Sequence, residues 1–167
     1  MKRLILFIVL ILGFQSWIKA DDIKEFEING MSIGDSLLNF YDKEKIINLK
    51  KINYPNSDKF YGIWLYSSSD NYDTYGFTLK KDDNKFIIYQ LKGTVDMSFK
   101  ECMNLKDNIK NEIKQSLMIS SEDNYRSNYQ NNYGKSYSEV TDLIVENGFI
   151  RIWCENFDRN FEASKDW

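Results

Sequence analysis

Apolar and polar residues alternate most sharply in the middle of the chain. Over 74–80, Tyr75, Phe77 and Leu79 fall on one side of an extended backbone, the two-residue period of a half-buried strand. Segment 60–67, rich in aromatic and aliphatic residues, predicts a strand before it. Segment 85–91 predicts a third, after a Lys81-Asp82-Asp83-Asn84 turn. At Ser98 the period changes. Ser98 and Glu101 have the spacing of a capping box. Over 98–118, Cys102, Leu105, Ile109 and Ile113 form a helical stripe read as uncharged, flanked by Phe99 and Leu117. Alternation returns over 139–145 and 149–155, joined around Asn147-Gly148, a type I′ turn signal.

Upstream the pattern is looser. Ile23, Phe26 and Ile28 predict a short strand or extended entry, and Asn29-Gly30 a turn. Residues 32–50 predict one or two helical segments, with Leu37, Leu38, Tyr41, Ile46, Ile47 and Leu49 as the apolar face and Asp35 and Asp42 as N-caps. Residues 119–136 are polar and rich in Ser, Asn and Tyr, which predicts a long loop or a weakly formed helix. The element order is helix, three strands, helix, two strands. It predicts an α+β fold: a two-layer sandwich with helices packed on one face of an antiparallel sheet, as a single domain over 21–167.

The first twenty residues stand apart. Lys2 and Arg3 precede the apolar run 4–12, and the small residue Ala20 stands before Asp21-Asp22, the layout of a signal peptide over 1–20. The run is roughly half of the about twenty apolar residues a spanning helix needs. The expected location is therefore periplasmic or secreted, with no membrane anchor after cleavage. With Lys2, Arg3 and Lys19 set aside, 19 basic residues face 25 acidic ones, a net charge of −6. That balance has no basic stripe to suit nucleic acid or an anionic membrane.

Composition narrows the chemistry. The 167 residues are 16% aromatic, too many for a solvated coil and enough for a sizeable core. There is no histidine, which excludes Ser-His-Asp and Cys-His triads, an imidazole base and His-ligated zinc. Two cysteines are too few for a thiolate metal cage. No metal, cofactor or catalytic residue is expected. Heavy use of Lys, Asn, Ile and Tyr reads as the base composition of an AT-rich bacterial genome rather than as a functional signal.

Four patterns resemble chemistry. Gly34-Asp35-Ser36-Leu37 spells the block of the GDSL esterases, but Ser36 has no histidine to activate it, and a helix cap explains it better. Gly134-Lys135-Ser136 matches the end of a P-loop, yet Tyr129 stands where the first glycine belongs. Asp70, Asn71 and Asp73, and Asp82, Asp83 and Asn84, are oxygen clusters without EF-hand spacing, as turn residues often are. Tyr125, Tyr129, Tyr133 and Tyr137 recur every four residues. They read first as a stripe laid over the core and second as ligand-facing aromatics.

Cys102 and Cys154 are expected to form a disulfide. Export places both in an oxidising compartment, and no alternative pairing exists. Cys102 lies in the apolar helical stripe, and Cys154 alternates with Ile150 and Ile152 on the apolar side of the last strand.

The stretch 26–38, Phe-Glu-Ile-Asn-Gly-Met-Ser-Ile-Gly-Asp-Ser-Leu-Leu, resembles the opening of a family of small exported bacterial proteins from AT-rich genomes. The likeness extends through the Cys102 helix, Gly134-Lys135-Ser136 and the Cys154 strand. The family is uncharacterised, so the resemblance implies no activity. A fainter likeness is to the BamE/SmpA envelope-assembly lipoproteins, whose lipidated cysteine is absent here. Three functions follow. The leading one is a binding or interaction module using a sheet face or a groove beside the tyrosines, with a small ligand as one possible occupant. The second is an envelope-assembly or inhibitor-like protein that docks on another protein. The third is a hydrolase working with carboxylates alone. A flat exposed apolar patch would favour docking, and two carboxylates facing each other in a cleft would favour the hydrolase.

Overall fold

Left-handed backbone at Asn29 (φ 53°) and Gly30 (φ 75°) folds the chain back on itself. The result is a tight hairpin of β1 (Glu27–Ile28) and β2 (Met31–Ser32). The computed structural model describes residues 23–67, 71–129 and 134–158, so the expected signal segment lies outside the described residues. A short helix, α1 (Lys43–Ile47), leads into a four-stranded antiparallel sheet of β3 (Ile52–Asn53), β4 (Phe60–Tyr66), β5 (Thr74–Lys80) and β6 (Ile88–Thr94). The long helix α2 (Phe99–Ser116) follows. A three-stranded antiparallel sheet closes the described chain: β7 (Ser121–Asn128), β8 (Tyr137–Val145) and β9 (Gly148–Asn156).

The expected α+β two-layer sandwich is therefore wrong. Among the described residues, nine strands in three antiparallel sheets, with one long helix, make a mostly β fold. Two local causes explain the error. Residues 34–36 spend their backbone on β6 rather than on a helix: Gly34 N donates to Ile88 O (2.9 Å), and Ile88 N donates to Asp35 O (2.9 Å). Only a 3-10 turn (Leu37–Asn39) and α1 remain of the helical stretch. Segment 121–128, expected as loop or helix, is an edge strand with a polar sequence. Cross-strand pairs hold it where apolar alternation is missing. Arg126 Nε donates to Glu139 Oε1 (2.8 Å), and Thr141 Oγ1 donates to Asn124 Oδ1 (2.6 Å). The charged edge also discourages pairing with another chain.

The last turn needs a correction too. Val145 pairs with Gly148, so the loop is Glu146-Asn147, and only Asn147 has positive φ (61°). A type I′ turn requires it at both positions.

Two cores form. The first gathers Tyr61, Tyr75, Phe77 and Phe86 with aliphatic side chains from β4–β6 and with Met31, Leu37 and Ile46. The second is smaller and aliphatic: Ile113 of α2 and Leu117, which caps the helix, pack with Leu143, Val145 and Ile150. The segment 23–33 ties them together, because Ile23, Phe26 and Ile33 pack in the second while Ile28 and Met31 pack in the first. The capping box starts α2: Glu101 N donates to Ser98 Oγ (3.3 Å), and Ser98 N donates to Glu101 Oε2 (3.1 Å). The Ser98 hydrogen bonds hold the Glu101 carboxyl below its ordinary pKa.

Candidate functional site

The pleat of the four-stranded sheet sorts its side chains. Tyr61, Ile63 and Leu65 of β4 and Tyr75, Phe77 and Leu79 of β5 are buried. Phe60, Gly62, Trp64 and Tyr66 thus share the opposite face with their partners Lys80, Thr78, Gly76 and Thr74. Ile52 joins that face across from Gly62, and Gln90, Lys92 and Thr94 extend it along β6. A register shift between Thr78 and Leu79 inserts Tyr89 as an extra residue. This bulge re-aims Tyr89 outward, where its ring lies 5.1 Å from that of Phe60.

The face is aromatic and open. Tyr66 is 89% exposed, Tyr89 45%, Ile52 43% and Trp64 42%. Trp64 lies flat for a steric reason: a Cβ added at Gly76 would stand 3.0 Å from its indole ring. Lys92 Nζ sits 6.0 Å from the indole centroid, at the outer limit of a cation–π contact. Tyr54 covers Gly62 in the same way and shares a 2.8 Å hydrogen bond with Thr78, whose hydroxyl donates to Gln90 Oε1 (2.8 Å). The strand positions on this face carry Lys80 and Lys92 and no carboxylate, in a chain that is acidic as a whole.

The four tyrosines singled out by their spacing do not share one face. Tyr125 lies opposite Val140, whereas Tyr137 lies opposite Asn128 and so points to the helix side of the three-stranded sheet. Tyr125 donates to Asp142 Oδ2 (3.2 Å), and Arg151 holds the same carboxylate through two 2.7 Å hydrogen bonds. The Arg151 hydrogen bond keeps Asp142 below the ordinary carboxylate range. Tyr129 donates to Glu155 Oε1 (2.6 Å). Tyr137 accepts from Asn156 Nδ2 (2.8 Å), and the Arg126 guanidinium lies 4.0 Å from the centre of its ring. Tyr133 lies outside the described residues. The structure pairs Cys102 with Cys154 in a disulfide whose Cα atoms are 5.7 Å apart, pinning the start of α2 to β9.

The remaining motifs serve as caps and turns. Ser36 Oγ donates to Lys85 O (2.6 Å) and accepts from Leu38 N (3.3 Å), so the Gly-Asp-Ser-Leu block caps the 3-10 turn. Asp83 accepts from Lys85 N (2.9 Å) and Ile87 N (3.0 Å), backbone bonds that lower its pKa. Ser136 Oγ accepts from Asp158 N (2.8 Å) and Lys135 N donates to Asp158 Oδ2 (3.0 Å), which ties the P-loop look-alike to the end of β9. Asp70 lies outside the described residues, and among those residues no group of three or more potential metal ligands converges.

A second feature is an open groove of about 460 Å³ between α2 and the β7–β8 edge. Met103, Lys106, Asp107 and Lys110 line its helix side, and Asn124, Arg126, Glu139 and Thr141 its sheet side. Its carboxylates are engaged by cations: Glu139 by Arg126, Asp107 by Lys110 (3.2 Å), and neighbouring Glu122 by Lys114 (2.7 Å). Hydrogen bonds from Asn124 and Lys114 lower the Glu122 pKa. A paired-carboxylate hydrolase needs the reverse, one acid raised by an apolar or like-charged setting.

Comparison with protein-family models, curated proteins and solved structures gives no match. The functional reading rests on the surfaces themselves. Sequence reasoning passed over Trp64, Tyr66, Tyr89 and Lys106. The signal for the first two was present: Phe60–Tyr66 is apolar at every position except Gly62. A strand apolar on both sides needs cover on both, and this sheet is covered on one.

Proposed function

We propose that the protein is an exported, non-catalytic binding module that docks on another protein through the open face of β3–β6. One observation carries this reading: Ile52, Trp64, Tyr66 and Tyr89 stand exposed together on a single sheet face. Single exposed apolar residues are ordinary, but several exposed aromatic side chains sharing one sheet face are of the kind on which protein interfaces concentrate their binding energy. The two lysines at strand positions of the face suit a partner with an acidic rim. Export is supported by the signal-like segment 1–20 and by the disulfide, which persists in oxidising compartments. No helix among the described residues is long and apolar enough to cross a membrane.

Site-specific photo-crosslinking in an envelope extract tests the docking. A crosslinker at Tyr66 should give a discrete protein adduct. One at Glu44, on the helix that packs against the inner side of the sheet, should give none, and Trp64→Ser should abolish the Tyr66 adduct. Equal adducts from both positions, or one indifferent to Trp64→Ser, would overturn the reading.

A further inference from the structure

Lys106 is the one charged side chain that is buried among the described residues, at 7% exposure. It sits four residues after Cys102, hence on the same side of α2, and the disulfide clamps that side against β9. Its stem is thereby held in the wall of the groove. The ammonium makes no hydrogen bond or ion pair with the described residues. No buried side-chain nitrogen or oxygen there lacks a partner, so Lys106 Nζ keeps a solvent-facing surface, and the groove is the cavity that it lines.

The neighbouring charges leave it unmatched. Lys110 is taken by Asp107 (3.2 Å) and Glu122 (3.9 Å), Lys114 by Glu122 (2.7 Å), and Arg126 by Glu139. Four cations stand against three carboxylates, and Lys106 is the one left over. With 7% of the residue exposed, the ammonium has little water to replace the hydrogen bonds the protein does not supply, which is costly. Burial accordingly lowers its pKa, against the opposing pull of Glu139, Asp107 and Glu122. A methionine here would pack on the same stripe without that cost. The groove volume lies within the range of sites for small molecules.

We propose that this groove binds a small oxyanion-bearing molecule, a carboxylate or phosphate, whose oxygen takes the hydrogen bonds of Lys106 Nζ. Arg126, paired with Glu139, and the hydrogen-bonded Thr141–Asn124 pair form the sheet wall opposite, which leaves Lys106 as the unpaired charge of the groove. The site lies on α2 and β7–β8 and is independent of docking at β3–β6.

The test is an NMR titration of the isotope-labelled protein at low ionic strength with succinate and, separately, inorganic phosphate. Saturable shifts should appear at the Lys106 side chain and at the Asn124 and Thr141 amides. The probe that saturates first identifies the class of anion. Bound anion favours the charged amine, so the titration midpoint of Lys106 should move upward. Lys106→Met should weaken binding at least tenfold, while Lys100→Met, at an exposed position, should leave it unchanged. Lys106→Met should also melt higher than wild type without anion, and anion should raise the melting temperature of wild type alone. A response that does not saturate with either probe, a midpoint that stays fixed, or equal binding by Lys106→Met would overturn the proposal.

Discussion

The sheets β3–β6 and β7–β9 are both antiparallel meanders preceded by a helix, yet each is closed by different means. The first fills its inner side with Tyr61, Tyr75, Phe77 and Phe86 and uses no cross-link. The second has a small aliphatic core beneath α2, with the disulfide at one end. Their outer faces differ in the opposite sense. The outer side of the three-stranded sheet sets the charged Tyr125–Asp142–Arg151 cluster beside the exposed Ile144 and Phe149, whereas the four-stranded sheet leaves Trp64, Tyr66 and Tyr89 bare without such a cluster. Where apolar area is scarce, a covalent link fixes the layers. Where it is plentiful, some is left over for a partner.

Removing the link should separate the halves most. The disulfide closes a loop of 52 residues, which contributes about 4 kcal/mol in the chain-entropy model. Replacing Cys102 and Cys154 by alanine should lower stability by roughly that amount in urea unfolding. Hydrogen exchange should show protection lost first in β8 and β9 and retained in β4 and β5. Uniform loss across both sheets would mean that the two cores unfold as one.

A smaller effect belongs to the outer side of β8–β9. The folded pKa of Asp142 lies below its unfolded value because Arg151 binds the ionised form. Its contribution is therefore present above the unfolded pKa and lost as pH falls through the folded one. Stability should decline below about pH 4, and less steeply in Asp142→Asn. Arg151 is 45% exposed, so the pair contributes no more than about 1 kcal/mol. Parallel pH profiles for the two proteins would show that this cluster is no fastening.

The parts of this architecture that were legible are those whose period survives folding. The alternation of Tyr75, Phe77 and Leu79 marks β5, and Ser98 with Glu101 marks the start of α2. β7 was not legible, because an edge strand held by ion pairs and amides has no apolar face to display. Nor was the bulge: Ile87, Tyr89 and Leu91 look like one face until an extra residue turns Tyr89 outward. Lys106 could have been found. At 100° per residue it falls about 40° from Cys102, between Ile113 and Leu117, inside the stripe read as uncharged. The grouping of strands into two larger sheets and a hairpin was out of reach, since spacing along the chain does not say which strands pair.

The outer faces provide the most direct test. Trp64→Ser combined with Tyr66→Ser should lower the melting temperature, because Trp64 is only 42% exposed and packs on Gly76, yet leave the protein folded, and should abolish association with the crosslinked partner. Phe149→Ser, an exposed aromatic on β9, should affect neither. Partner binding measured for these two proteins beside wild type decides the matter. Loss in the β4 variant alone is the predicted result; undiminished binding by that variant, or equal loss in both, would contradict docking at β3–β6.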